Sequence, residues 1–200
     1  MEDDRIKAAK GPTILLQSGH YFDFLDPAGS RFTIGDIAQG LANACRFAGQ
    51  CDRFYSVAEH CWHASFLVPG HLALAALMHD AAEAFIGDMT RPLKSLLPEY
   101  KAIEAAIEAV IDARFALGRL CAHPLVKEAD VRMLAAEQAA MMPAHEDDWA
   151  ILTGVEIPKV EFQNWGPIEA AAKWLSRAEL LANIYPIADV ERLHEPAQVA

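Results

Sequence analysis

The chain is 200 residues long and 53% hydrophobic, enough apolar side chain for one domain with a substantial core. Its net charge of −11, from 17 basic and 28 acidic residues, argues against a general nucleic-acid binder, which needs a basic surface; a small phosphorylated ligand held by local cations is still allowed. No apolar run reaches the roughly 18–20 residues of a bilayer-spanning helix, so no membrane segment is expected. The opening MEDDRIKAAKGP lacks the apolar stretch of a secretory signal. Cys45, Cys51, Cys61 and Cys121 include no CxxC pair and are too few to staple this length. They are expected to be reduced, mostly buried thiols of a cytoplasmic protein.

In chain order, residues 1–12 are expected to form a flexible leader. Partial alternation from Thr13 to Leu25 predicts a short β-hairpin with its turn near Ser18-Gly19, followed by a turn at Asp26-Pro27-Ala28-Gly29. A first helix is predicted from Ile34 to about Phe47, with Thr33 as N-cap. Ser56-Val57-Ala58-Glu59 matches a capping box, in which the Ser hydroxyl accepts a backbone N–H while the Glu reaches back. The second helix then runs to about Val68, before Pro69-Gly70. A third, from His71 to Phe85, is apolar on nearly every side and should lie centrally, ending at Gly87.

Gly87, Pro92 and Pro98 break the periodicity of GDMTRPLKSLLPEY, which reads as a loop enclosing a short helix. Longer helices are predicted over Glu99–Leu117 and Pro124–Met142, with Pro124 suited to a helix start. Residues 145–166 read as irregular, with a short strand pair around Val155–Phe162. An amphipathic helix over Pro167–Ile184 precedes a tail at 187–200. The fold class is all-α: a helical bundle with a short N-terminal β-hairpin, one domain over 13–186.

Four side chains carry the chemistry. His60 lies in the first turn of the second predicted helix, His79-Asp80 near the end of the third, and Asp130 inside a later one. A lone helix histidine is more often a surface or satisfied core residue than a ligand. Here, antiparallel packing of the second and third helices would bring His60 and His79 to the same end of the pair. Unpaired carboxylates are costly on apolar helices, so a divalent ion bound by mixed nitrogen and oxygen ligands is the economical reading. That ligand set suits Zn, Mn, Co, Fe or Mg rather than calcium.

In order and spacing, RFAGQ, YSVAEH, HDAAEAFIGDMTRPLK and VKEAD resemble the HD-domain phosphohydrolases, nearest to the bacterial 5′-deoxynucleotidase and phage-type nucleotide phosphohydrolase branch. The resemblance covers roughly residues 34–142. It implies His60, His79, Asp80 and Asp130 as ligands of one divalent metal ion. It further implies Glu83 and Asp88 as catalytic carboxylates and Arg46 as a phosphate-binding cation. Lys94, Arg91 and Lys127 are further candidate substrate contacts. Phe47 either stacks on a base or packs the core. His63 has no counterpart in the signature and is taken as structural or as a residue supporting the ligands from behind.

The implied activity is hydrolysis of phosphate esters of (deoxy)nucleotides, foremost 5′-nucleotidase action on (deoxy)nucleoside monophosphates. The alternatives are a dNTP triphosphohydrolase of the same fold and a non-catalytic metal- or nucleotide-binding scaffold. A small-molecule nucleotide is the expected partner, with no stable nucleic-acid complex. A homo-oligomer, dimer or higher, is expected from the resemblance alone. Residues 13–33 and 145–166 have no secure match to the 5′-deoxynucleotidase pattern.

Overall fold

A computed structural model describes residues 11–147 and 149–184, so the first ten leader residues and the 187–200 tail lie outside the described residues. The expected hairpin is present, with β1 (Thr13–Leu15) antiparallel to β2 (Tyr21–Asp23) and Ile14 opposite Phe22. Gly19 turns the chain at φ +83°, a left-handed conformation that favours glycine. Phe22 is fully buried and stacks on Phe85 at 4.2 Å between ring centroids, with Phe32 edge-on to both. The hairpin is therefore a plug in the core, seated on the segment that follows the His79-Asp80 pair.

Helix α1 (Ile34–Asn43) starts at a full capping box: Thr33 Oγ1 accepts from the Asp36 N–H, and the Asp36 carboxylate accepts from the Thr33 N–H. Asp36 also accepts the Ser18 N–H at 2.9 Å, tying the hairpin turn to the helix. Here the structure shortens the expected helix. The chain leaves α1 at Ala44 and pairs Cys45 with Ser56 in an isolated β-bridge, then makes a short 3-10 turn over Arg46–Gly49.

Helix α2 (Val57–Ala64) is capped by Ser56 Oγ, which accepts the Glu59 N–H, but Glu59 does not reach back. Its fully buried carboxylate instead accepts the N–H groups of Gln163, Asn164 and Trp165 at 2.7–2.9 Å. That contact fixes the irregular 145–166 stretch just ahead of α8 (Pro167–Ile184), which starts and ends where the sequence predicts. The strand pair expected around 155–162 does not form; the segment has no regular secondary structure after a 3-10 turn at Ala150–Leu152.

The third predicted helix is divided into α3 (Ala73–Met78) and α4 (Glu83–Ile86), separated by a turn at residues 79–82 and closed by Gly87 at φ +77°. A one-turn α5 (Arg91–Lys94) lies inside the expected loop, followed by α6 (Pro98–Arg114) and α7 (Pro124–Met141). Proline opens both long helices, where its missing N–H costs nothing. α8 packs across α1, α2 and α3, and its buried Trp174 donates from Nε1 to the Leu77 carbonyl at 3.2 Å. Trp174 thus belongs to the core. None of the described helices is long and apolar enough to cross a membrane.

Gly40 marks the tightest approach between α1 and α4: an added Cβ would overlap the Ala84 carbonyl oxygen and fall 2.7 Å from Ala84 Cα. Alanine would raise helix propensity by about 1 kcal/mol, but a clash with backbone has no flexible group to yield and costs about 1–3 kcal/mol. Gly40→Ala is therefore expected to lower the urea unfolding midpoint; a midpoint at or above the parent value would show that α1 and α4 are not in register here.

Candidate metal centre

His60 is the fourth residue of α2 and is fully buried; His79 is the first residue beyond α3. The turn that carries His79 and Asp80 is wound tightly by i→i+3 bonds, including Ala81 N–H to Met78 O and Glu83 N–H to Asp80 O. Asp130 reaches the same point from the second turn of α7. Nε2 of His60 stands 3.3 Å from Nε2 of His79, 3.6 Å from Asp80 Oδ2 and 3.4 Å from Asp130 Oδ1. His79 Nε2 is 3.3 Å from Asp80 Oδ2 and 3.8 Å from Asp130 Oδ1. Ligands held 2.0–2.2 Å from one ion sit about 3 Å apart in an octahedron and about 3.4 Å apart in a tetrahedron. The observed separations fit such a shell with modest contraction.

The protons of the two imidazoles point away from this cluster. His79 Nδ1 donates to the Ala76 carbonyl at 2.7 Å, and His60 Nδ1 faces the Glu137 carboxylate. Each ring therefore turns an Nε2 lone pair inward, toward the other ring and two carboxylate oxygens. Four acceptors facing one another require protons or a cation between them. Burial disfavours a charged His79, yet Asp80 and Asp130 hold its pKa well above the usual imidazole range. The site's own chemistry thus calls for positive charge at its centre, which a divalent ion would supply without protonating the side chains around it.

A second set, Cys61, His79 and Asp80, is also close enough to hold an ion. It uses the wrong face of the imidazole. Cys61 Sγ lies 3.9 Å from His79 Nδ1, the nitrogen already donating to Ala76, and burial pushes the Cys61 thiol up to about 11. A neutral thiol on that side is a neighbour, not a ligand. All four cysteines are free, but only Cys61 is fully buried.

Glu137 was not anticipated from sequence, and it organises the site. It is fully buried two turns beyond Asp130 on α7, and besides His60 it accepts from Arg46 Nη2 at 2.9 Å and from the Tyr55 hydroxyl at 3.0 Å. Burial opposes its ionisation, but Arg46 and His60 prevail and hold its pKa at about 2. The seven-residue spacing from Asp130 was the available signal, since residues seven apart share a helix face.

Glu83 and Asp88 flank the ligands. Glu83 is buried with Oε2 unpartnered, and burial, then Asp80 and Asp88, raise its pKa well above the carboxylate range. Arg46 is buried too, so it is more than a substrate cation: Nη2 is committed to Glu137, while Nη1 lies 3.8 Å from both Asp80 and Asp88. Phe47 follows in a left-handed conformation (φ +55°), half-buried, its ring 6.3 Å from that of Trp149. Lys94 is held by Glu104 at 2.6 Å over the Tyr100 ring, and the Tyr100 hydroxyl donates to Gly87 O, next to Asp88.

The remaining candidates are peripheral. Arg91 is 64% exposed and 3.9 Å from Asp130 Oδ2, and Lys127 lies exposed one turn before Asp130. His63 stays outside the cluster, stacked parallel to Trp165 and 3.5 Å from Glu59, as a structural residue should.

Replacing Glu137 with Gln preserves shape but removes the charge that orients His60 and Arg46. Loss of such an outer partner typically weakens metal binding about 10–100-fold. Glu137→Gln is expected to do so in a cobalt or zinc titration, whereas Glu83→Gln should bind metal like the parent. Equal affinity in Glu137→Gln would show that the carboxylate does not govern the ligand geometry.

No protein-family model matches the chain. Over 151 residues it is 43% identical to the uncharacterized protein YfdR of Escherichia coli, covering 76% of this chain and 83% of that one. It is also 38% identical over 152 residues to the uncharacterized protein RCAP_rcc00048 of Rhodobacter capsulatus, covering 66% of this chain and 76% of that one. With identity and coverage at this level, the chain belongs to the same family as YfdR.

Proposed function

We propose that the protein is an HD-domain metal-dependent phosphohydrolase that releases phosphate from (deoxy)nucleoside 5′-monophosphates. The observation that carries this reading is the convergence of His60, His79 and Asp130, with Asp80 Oδ2 3.6 and 3.3 Å from the two imidazoles, beside a buried Glu83 with an unpartnered oxygen and a partly free Arg46. A cation needed only to hold a fold together would require neither of the last two.

When bound, a divalent ion supplies Lewis acidity toward water and toward a phosphoryl oxygen. The imidazole nitrogens of His60 and His79 and the carboxylate oxygens of Asp80 and Asp130 would hold it. Glu83 takes the proton of the attacking water at Oε2, the buried atom without a protein partner. Arg46 Nη1 turns its free N–H groups to the non-bridging phosphoryl oxygens while Glu137 holds Nη2. Asp88, opposite Arg46, orients water or sugar. Lys94 adds a second positive charge once it exchanges Glu104 for phosphate.

The nucleotide assignment comes from the motif resemblance, and a triphosphate substrate is its nearest rival. Phosphorus NMR on dAMP and dATP separates them: inorganic phosphate from dAMP with dATP intact is expected, and tripolyphosphate from dATP would favour the rival. Retained metal with no turnover across a nucleotide panel would favour a scaffold.

His79→Ala or Asp80→Ala should remove metal and activity together. Glu83→Ala should keep its metal while turnover falls about 10²–10⁴-fold. Elemental analysis paired with phosphate release checks both, and parental turnover in Glu83→Ala would remove that residue from the mechanism.

A further inference from the structure

A cleft of about 750 Å³ runs between α6 and the turn that carries His79. Its volume falls in the range of small-molecule sites. Ala105 and Ala109 on α6 face Met78 and Ala82, and these short side chains leave the space open. His79 lines the cleft directly, and Lys127, one turn before Asp130 on α7, stands at its rim. The cleft therefore meets the candidate metal centre at the His79 imidazole.

Two carboxylates of α6 also line it, and they differ in use. Asp112 already accepts the Arg119 N–H at 2.6 Å and shapes the loop after α6. Glu108, one turn earlier, has no hydrogen-bond or ion-pair partner among the described residues. Partial loss of water and the neighbouring Glu104 raise its pKa, while Lys94 and Lys127 pull it down and Asp80 is also felt. Glu108 is thus a free acceptor on the cleft lining.

We propose that this cleft is the nucleoside subsite of the centre, with the base and sugar on the alanine wall and Glu108 accepting hydrogen bonds from a sugar hydroxyl or a base amino group. The assignment rests on the phosphohydrolase reading. It places recognition on α6 and leaves the phosphoryl group to Arg46 and Lys94.

Titration calorimetry with metal-loaded protein tests it, using dAMP and inorganic phosphate as probes on the parent, Ala109→Phe and Glu108→Gln. Both substitutions fall on the exposed side of α6. Ala109→Phe fills the cleft and is expected to weaken dAMP by at least about 10-fold through steric exclusion. Glu108→Gln is expected to weaken it about 10-fold through loss of a charged acceptor, with phosphate affinity unchanged in both. If Ala109→Phe does not fold, Glu108→Gln decides alone. Parental dAMP affinity in the variants overturns the subsite, as does parental KM if the enzyme hydrolyses dAMP. Cleft-dependent dAMP binding without phosphate release keeps the subsite and overturns the hydrolase reading. A parent that neither binds nor hydrolyses dAMP overturns both.

Discussion

Two imidazole nitrogens face each other across 3.3 Å while both rings direct their protons outward. Bringing two lone pairs and two carboxylate oxygens to one point is unfavourable without positive charge among them. The chain nevertheless builds that arrangement from three separate helical segments. It holds each ring by a hydrogen bond on the far side. Each ring is thus oriented by a partner outside the cluster, which is the preorganisation the proposed chemistry needs.

Glu137 links this geometry to the proposed chemistry. One buried carboxylate orients His60, secures Arg46 and accepts the Tyr55 hydroxyl, so the candidate ligand and the neighbouring cation are positioned by the same group. A charge so deep in the core is tolerable because it is paired and fully hydrogen-bonded. The surroundings keep it so. The hairpin plugs Phe22 against Phe85 just beyond Asp80, and α8 seats Trp174 against the Leu77 carbonyl just before His79. The turn that carries His79-Asp80 is pinned from both ends.

Much of this was legible in the sequence because local chemistry decided it. Thr33, Ser56, Gly87 and Pro124 mark helix ends through capping and backbone rules that need no tertiary knowledge. The order His60, His79-Asp80, Asp130 placed the ligands on neighbouring elements. Long-range contacts were hidden. Glu59 looks like half of a capping box, but three backbone N–H groups more than a hundred residues away outcompete its own helix terminus. The β-bridge of Cys45 with Ser56 cuts short a helix whose apolar pattern continues to Phe47. Glu137 resembled any acid on an Ala- and Met-rich helix, since only the positions of Arg46, Tyr55 and His60 give it partners.

X-ray absorption spectroscopy of the metal-loaded protein tests the ligand assignment most directly. Two imidazoles and carboxylate oxygens at about 2.0–2.2 Å, with no sulfur scatterer, are predicted. A sulfur neighbour at about 2.3 Å would place Cys61 on the ion, and failure to retain an ion would remove the centre altogether.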